Sequence, residues 1–260
     1  MSAPLSTRGR SKHRTRPSPD FPYYAGDPVR ISGKGWLIVM VALAAAFAQL
    51  ELLTFETSPA NFIPAVIFAG LPLATLMAMT GWRSPALFRR FGPSGFLAGL
   101  GFALLTITSS IVVGLILSNF TDLTPNASVA DLAVGGPLDL IIFLGCTFIQ
   151  LIGEELITIL PLLAVMWLCV ARLGLSRRRA LVIAFVVSTL LFAALHLPTY
   201  DWNFVQCFGT IGTARVVLTL AYVVTRNLWV SATAHVANDW SLFLMSFIGG
   251  HLPMGTDAPV

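Results

Sequence analysis

The chain alternates between long apolar stretches and short polar connections. Seven stretches come close to the length of about 20 apolar residues that a membrane helix needs, or exceed it. They lie near residues 36–54, 61–80, 95–118, 138–171, 179–197, 205–225 and 227–248. The fourth is too long for one straight crossing, at about 50 Å by 1.5 Å per residue. We expect either a kink at Pro161 or a tilted helix that extends into the cytoplasm. The pattern predicts an all-α fold, a polytopic membrane helix bundle of about seven transmembrane helices.

Basic residues occur only in alternate connections between these stretches. The second, fourth and sixth connections carry Arg83, Arg89, Arg90, Arg172, Arg177, Arg178, Arg179 and Arg226. The first, third and fifth contain no Lys or Arg, and their acidic residues are Glu56, Asp122, Asp131 and Asp201. This alternation satisfies the positive-inside rule at every crossing if the N-terminus is cytoplasmic. We therefore predict a cytoplasmic N-terminus and a C-terminus on the opposite side.

Composition and charge agree with a membrane protein. Apolar residues make up 56% of the 260 residues and charged residues 11%, which excludes an ordinary soluble domain. The net charge of +4 is explained by cytoplasmic loops, so no nucleic acid partner is expected. The three cysteines, Cys146, Cys169 and Cys207, form no CxxC pair and are predicted to be free thiols.

Three regions follow from this pattern. Residues 1–35 interleave basic residues with prolines, and they are predicted to form a disordered basic cytoplasmic tail. This tail acts as a topology signal or is attracted to anionic lipid headgroups. Residues 36–250 are predicted to form the transmembrane helical domain, and residues 251–260 a short C-terminal tail. We expect an integral, multi-pass protein of a cell (plasma) membrane.

Several ionisable residues lie inside the predicted spans. A charge at the bilayer centre costs about 2.5–3.5 kcal/mol on insertion scales, so such residues face the protein interior and pair with one another. They are Glu154 and Glu155 in the fourth span, His196 at the end of the fifth, Arg215 in the sixth, and His235 and Asp239 in the seventh. Their presence on separate helices favours a functional site over isolated structural hydrogen bonds.

The spacing of these residues predicts how they face. His235 and Asp239 are four residues apart and share a helix face, with Asn238 beside them. Adjacent Glu154 and Glu155 point about 100° apart, so only one can aim at a given centre. The set could hold a metal such as zinc with a Glu-activated water, or a water positioned by Glu alone. The candidate ligands are His196, His235, Asp239 and Glu154.

Three short motifs carry a resemblance to a known family. Glu154-Glu155, Phe192-x-x-x-His196 and His235-x-x-x-Asp239 resemble, in order, the EExxxR, FxxxH and HxxxN/D motifs of the CPBP family. This family of CAAX proteases and bacteriocin-processing (Abi-type) proteins contains intramembrane endopeptidases. The resemblance covers residues 138–245. It implies that Glu154 is the base that activates water, that His196 assists, and that His235 and Asp239 stabilise the oxyanion. The family has been described both as metal-dependent and as a metal-free glutamate protease.

Two positions depart from the family motifs. Ile159 stands where the motif arginine is expected, and Asp239 replaces the more usual Asn, which occurs one position earlier as Asn238. An ionised Asp239 would repel an oxyanion, so it must be protonated or Asn238 must supply the donor. A metal would remove this objection. We hypothesise that Arg215 replaces the missing arginine and pairs with Glu155, the alternative being that Arg215 lines a watery groove.

The predicted function is that of an intramembrane endopeptidase acting on a membrane-embedded or lipid-proximal peptide or protein. The alternatives are a proton-coupled membrane transporter and a non-catalytic immunity or scaffold protein. The two histidines can lie in one site only under a geometric condition. His235 lies about 12 Å from the cytoplasmic end of its helix, whereas His196 lies about 25 Å from the start of its own. They meet only if the fifth helix starts outside the bilayer or the seventh begins below its surface.

A small-residue spacing on the third span predicts close helix packing. Gly95 and Gly99 form a GxxxG pattern. Such a pattern brings helices of the same chain together or forms a dimer face. In a polytopic protein, packing within the chain is the more frequent use.

Overall fold

The computed structural model describes residues 20–55, 57–82 and 85–252, and every regular element in these ranges is helical. Seven long helices are numbered α1 to α7 in chain order. They are α1 Gly33–Leu52, α2 Phe62–Met79, α3 Pro93–Leu117, α4 Pro137–Trp167, α5 Arg177–Leu195, α6 Phe204–Thr225 and α7 Leu228–His251. Each predicted apolar stretch corresponds to one of these helices. The predicted helical membrane bundle is confirmed.

The helices differ in how apolar they are along their length. In the part of the chain that the structure describes, six helices, α1 to α6, are long and apolar enough to cross a bilayer. Helix α7 has 24 residues, which is long enough, but its interior carries His235, Asn238 and Asp239. The helix with the most polar interior is therefore one of those that build the candidate site.

Helix α4 is the central helix of the bundle. In the most apolar segment of this helix, 61% of the residues are buried in the bundle, whereas in that of α3 only 11% are. It begins with Pro137 at its first position, while Asp139 accepts a hydrogen bond from the Gly136 backbone N–H (2.8 Å), an arrangement that satisfies a free donor at the helix start. The helix continues through Pro161 and ends in a π-helical turn, Leu168–Arg172. Its side chains can therefore reach several neighbouring helices.

The GxxxG pattern of α3 serves a contact within the chain. A Cβ atom placed on Gly99 would lie 2.7 Å from Cβ of Thr233 on α7 and 3.2 Å from the carbonyl oxygen of Val230. A Cβ atom on Gly95 would contact Val230 as well, at 3.8 Å. The missing side chain lets the two backbones approach closely. The predicted use of these glycines in intrachain packing is confirmed.

The segment just before α1 differs from its prediction. Residues 20–32, which we call the N-terminal strap, were expected to belong to a disordered tail, yet Phe21, Tyr23 and Ile31 are each at most 3% exposed. The Tyr23 hydroxyl accepts a hydrogen bond from the Ala86 backbone N–H (2.7 Å). The prediction is wrong for the strap because its aromatic side chains bury enough apolar surface to offset the entropy of ordering. Residues 1–19 and 253–260, which hold most of the two predicted tails, lie outside the described residues.

An ion pair fastens the strap to α5. The Arg177 guanidinium donates to the Asp20 carboxylate, with Nε 2.9 Å from Oδ2, and the Arg177 side chain lowers the pKa of Asp20 below its ordinary value. The Tyr24 hydroxyl also donates to Asp20, at 2.7 Å. The strap thus connects the start of α1 to the start of α5.

Helix α7 begins beneath other parts of the chain. Leu228, its first residue, is fully buried, and its N–H donates to the carbonyl of Leu87 (2.9 Å). The preceding Asn227 accepts a hydrogen bond from the Arg89 N–H (3.1 Å) and donates to the Arg90 carbonyl (3.3 Å). The α2–α3 connection therefore covers the start of α7. The start of α7 is therefore buried within the bundle and not at its surface.

Candidate active site

A buried ion pair links α4 and α6. The Arg215 guanidinium donates twice to the Glu155 carboxylate, with Nη1 2.7 Å from Oε1 and Nη2 3.2 Å from Oε2. Both side chains are fully buried. Arg215 also donates from Nε to the Thr219 hydroxyl (3.1 Å), and its guanidinium lies 4.9 Å from the centre of the Phe192 ring. A two-point contact of this kind is the strong form of an ion pair. The predicted replacement of the motif arginine, absent at Ile159, by Arg215 is confirmed as a contact.

His235 on α7 lies between the two adjacent glutamates. Its Nδ1 is 3.0 Å from Oε1 of Glu155, and its Nε2 is 3.6 Å from Oε2 of Glu154. The same Nε2 lies 3.7 Å from Oδ2 of Asp239. Adjacent helical residues point in different directions, so the two glutamates reach different sides of the imidazole. Glu155 thus joins Arg215 to His235, and Glu154 remains available on the other side.

Glu154 lines a cavity together with His196. Its Oε1 accepts a hydrogen bond from Nε2 of Gln150 (3.1 Å), and its side chain is 14% exposed. This carboxylate is therefore the accessible one of the adjacent pair, since Glu155 is fully buried. The apolar part of the cavity wall comes from four helices and comprises Phe47, Leu50, Phe68, Ile157, Phe192 and Leu195.

His196 follows directly after α5 and is held by its own helix. Its Nδ1 is 2.9 Å from the carbonyl oxygen of Phe192. A carbonyl only accepts hydrogen bonds, so Nδ1 of His196 carries a proton. The Phe192 ring lies 4.4 Å from the His196 ring and 6.2 Å from the His235 ring, between centres. The Phe192 ring therefore lies against His196 and close to His235.

Asn238 and Asp239 bind each other on α7. Nδ2 of Asn238 donates to Oδ1 of Asp239 at 2.7 Å, while the other Asp239 oxygen lies nearest to His235. Asn238 is buried, and the Asp239 side chain is 24% exposed. Asn238 therefore orients Asp239, and its predicted role as an oxyanion donor stays a prediction.

The structure adds polar residues that the sequence analysis did not single out. Gln150 binds Glu154, and Thr219 binds Arg215; each lies four residues from its partner on the same helix, so the i, i+4 rule could have found both. No spacing of this kind pointed to Tyr200, which lies in the turn after α5. Burial raises its pKa to about 12, and the carboxylates of Asp239 and Glu154 act in the same direction. Tyr200 therefore lies at the edge of the carboxylate cluster.

The predicted metal ligands lie around the same cavity and imidazole. Across residues 20–55, 57–82 and 85–252, no group of three or more His, Cys, Asp and Glu side chains is arranged to hold a metal ion. One nitrogen of His235 contacts Glu155, and one nitrogen of His196 contacts a backbone carbonyl. The Nε2 atom of His235 still lies near Glu154 and Asp239, so the predicted metal ligands His196, His235, Asp239 and Glu154 stay a prediction, and no step below passes through a metal.

Comparison with known families agrees with the motifs. Residues 136–241 match the family described as type II CAAX prenyl endopeptidase Rce1-like. This segment runs from the start of α4 into α7 and contains all of the predicted site residues. The resemblance to the CAAX protease family is thereby confirmed over this part of the chain. No curated protein and no solved structure matches the chain.

The structure is that of a multi-pass helical membrane protein, and its segment 136–241 is similar to type II CAAX prenyl endopeptidases. The match favours a protease over the transporter alternative.

Proposed function

We propose that the protein hydrolyses a peptide bond inside the membrane, with Glu154 as the base that activates water. The observation that carries this proposal is the accessible Glu154 carboxylate, which lines a cavity with His196 and faces Nε2 of His235 at 3.6 Å. A general base must be within reach of the water and of the reacting carbonyl. Glu154 is the member of the glutamate pair that meets this requirement.

In this proposal, Gln150 and His196 position the water. Gln150 donates to Oε1 of Glu154 and leaves Oε2 to accept the water proton. The free Nε2 of His196 provides a second acceptor on the cavity wall. The water is then held by two acceptors and is directed at the substrate carbonyl. The mostly apolar walls lower the local dielectric, which strengthens these interactions.

His235 is proposed to stabilise the oxyanion. Its two nitrogens face carboxylates, namely Glu155 on one side and Glu154 with Asp239 on the other. This arrangement favours the doubly protonated imidazolium, whose Nε2–H can donate to the developing oxyanion. Asp239 supports the positive charge of the ring, so the aspartate need not contact the oxyanion that it would repel.

Arg215 and Glu155 are proposed to act through His235. The guanidinium keeps Glu155 ionised, and the ionised carboxylate holds Nδ1–H of His235 at 3.0 Å. Both partners are fully buried, so neither can contact the substrate directly. They are positioning residues that determine the orientation and charge of the catalytic imidazole.

The test is cleavage of a membrane-embedded peptide by the purified protein. Glu154→Gln keeps the side-chain volume but removes the base, and we expect turnover to be lost while the helical content and melting temperature stay unchanged. Asp122→Asn, the same type of change in an extramembrane connection, is the matched control and should retain full activity. Undiminished proteolysis by Glu154→Gln would remove Glu154 from this role. A folded wild-type protein without proteolysis would instead favour the non-catalytic scaffold alternative.

A further inference from the structure

The two ends of the bundle differ in charge and in access to the site. We infer that the catalytic cavity opens on the non-cytoplasmic side of the membrane. Its substrate must then present the scissile bond in that leaflet, as an exported or outwardly anchored peptide does. This inference rests on the proposed function for the identity of the substrate, but the direction of opening is a property of the fold alone.

The basic residues gather at one end of the bundle. The strap brings together three connections there, since Arg177 binds the Asp20 carboxylate and Nη2 of Arg89 donates to the Asp20 carbonyl (2.9 Å). The guanidinium of Arg226 lies 5.4 Å from the centre of the Phe21 ring in the same strap. Because short loops rich in Lys and Arg remain in the cytoplasm, this is the cytoplasmic end.

The opposite end contains no basic residue in its connections. Residues 53–61, 118–136 and 196–203 include no Lys or Arg. Two of these connections are tied together, because Nδ2 of Asn203 donates to the Asp122 carbonyl (2.8 Å) and the Thr124 N–H donates to Gln206 (2.7 Å). They form one surface, which is the non-cytoplasmic end by the same rule.

The cavity is built from helix ends that lie on this second surface. Helix α1 starts at the basic end and contributes Leu50 and Glu51 from its last turn, and α5 starts at Arg177 and contributes Leu195. His196 and Thr199 follow the end of α5, and Thr199 is exposed. The lining therefore reaches from Glu154 in the bundle to the non-cytoplasmic surface.

The cytoplasmic end is closed over the same site. Phe21 and Tyr23 of the strap are at most 3% exposed, and Asn227 and Leu228 are buried where α7 begins. The strap and the α2–α3 connection thus pack against each other and over the start of α7 at that end. This packing favours entry of the substrate from the opposite end.

The residues that line the cavity indicate what kind of substrate segment would fit. Phe47, Leu50 and Phe68 provide an apolar wall, which suits a membrane-embedded peptide. The carboxylate of Glu51 stands near the outer end of the same wall. The matching substrate is an apolar segment that ends at the non-cytoplasmic interface.

Cysteine labelling tests the direction of opening without any need for catalysis. Thr199→Cys is placed at the cavity mouth and Arg178→Cys at the opposite end, where both parent side chains are exposed. Intact cells that express each full-length variant are treated with a membrane-impermeant maleimide, before and after permeabilisation. The parent chain, whose Cys169 and Cys207 are buried and Cys146 partly so, measures the background.

We expect Thr199→Cys to be labelled in intact cells and Arg178→Cys only after permeabilisation. The reverse pattern overturns the inference, and so does a Thr199→Cys variant that stays unlabelled after permeabilisation. The same labelling in the Glu154→Gln background separates the two proposals. An inactive enzyme with the expected labelling would refute the proposed function alone, whereas an active enzyme with the reverse labelling would refute the direction of opening alone.

Discussion

At the scale of single residues, the site depends on a division of roles between two adjacent glutamates. Glu155 is fully buried and bound to Arg215, whereas Glu154 is partly exposed in the cavity. Their positions on successive residues of α4 make this division possible, since they point in different directions. His235 contacts Glu155 through one nitrogen and faces Glu154 with the other. It therefore links the buried Arg215–Glu155 pair to Glu154 in the cavity.

The Arg215–Glu155 pair makes a stability prediction. Arg215→Leu leaves a buried carboxylate without its main partner and should destabilise the protein by about 3–5 kcal/mol. Glu155→Leu should have a similar effect, and the double variant should recover much of the loss because no unpaired charge remains. Thermal unfolding in detergent measures each variant, with the exposed Arg178→Leu as the control. Strictly additive losses in the double variant would contradict the coupling.

The two histidines are predicted to differ in their effect on stability. His196→Ala and His235→Ala should each reduce kcat/KM by several kcal/mol of transition-state stabilisation. Only His235→Ala should also lower the melting temperature, because His235 contacts the buried Glu155, whereas His196 binds the backbone of its own helix. Activity and melting temperature are measured on the same preparations. Equal melting temperatures for the two variants would contradict the structural role of His235.

At the scale of elements, α7 is positioned by its contacts with α3. Gly99 allows the α3 backbone to approach Thr233 and Val230, which lie two and five residues before His235 in α7. The start of α7 is held by Asn227 beneath the α2–α3 connection. The position of the His235 imidazole therefore depends on a helix that contributes none of the predicted site residues.

Gly99→Ala tests this dependence, with Gly101→Ala as a matched control on the same helix. The added methyl group on Gly99 would overlap Thr233, whereas a Cβ atom on Gly101 meets nothing within 4 Å. We expect Gly99→Ala to lose about 1–3 kcal/mol of stability through overpacking and to lose activity as α7 shifts. Gly101→Ala should leave both unchanged. Equal melting temperatures and activities for the two variants would mean that α3 and α7 do not need this close contact.

At the scale of the whole molecule, the bundle surrounds a carboxylate-rich site with apolar helices. Such an interior can either concentrate a metal ion or keep its carboxylates paired with protein cations. Glu155 shows the second arrangement, because Arg215 and His235 compensate its charge. The reaction proposed above requires only side chains and water.

Metal analysis of the purified protein tests this reaction. We predict that activity persists in protein that carries far less than one equivalent of zinc, and that strong chelators leave it undiminished. Elemental analysis and proteolysis are measured on the same sample. Stoichiometric zinc together with loss of activity on chelation, restored by adding zinc, would contradict the metal-free reaction.

Much of the fold and the chemistry of the site could be predicted from sequence. Apolar stretches of bilayer length determine seven helices, because a membrane leaves the backbone few other ways to satisfy its hydrogen bonds. Glu154, Glu155 and Arg215 stood out for a related reason, since a charge inside an apolar span is costly unless it is paired. Even the contact between Glu155 and Arg215 followed from that cost.

Other features were decided only by the tertiary structure. The strap looked like a disordered tail because composition alone does not show which aromatic side chains find a surface to pack on. Phe21 packs against Tyr222 on α6, and Tyr23 binds Ala86 in the α2–α3 connection. The recessed start of α7 depends likewise on residues 87–90. The contacts of both glutamates with His235 were also beyond the sequence, because they depend on the rotation of α4 against α7. Local patterns specify helices and costly charges, whereas contacts between distant segments determine how deeply each charge is buried and which one lines the cavity.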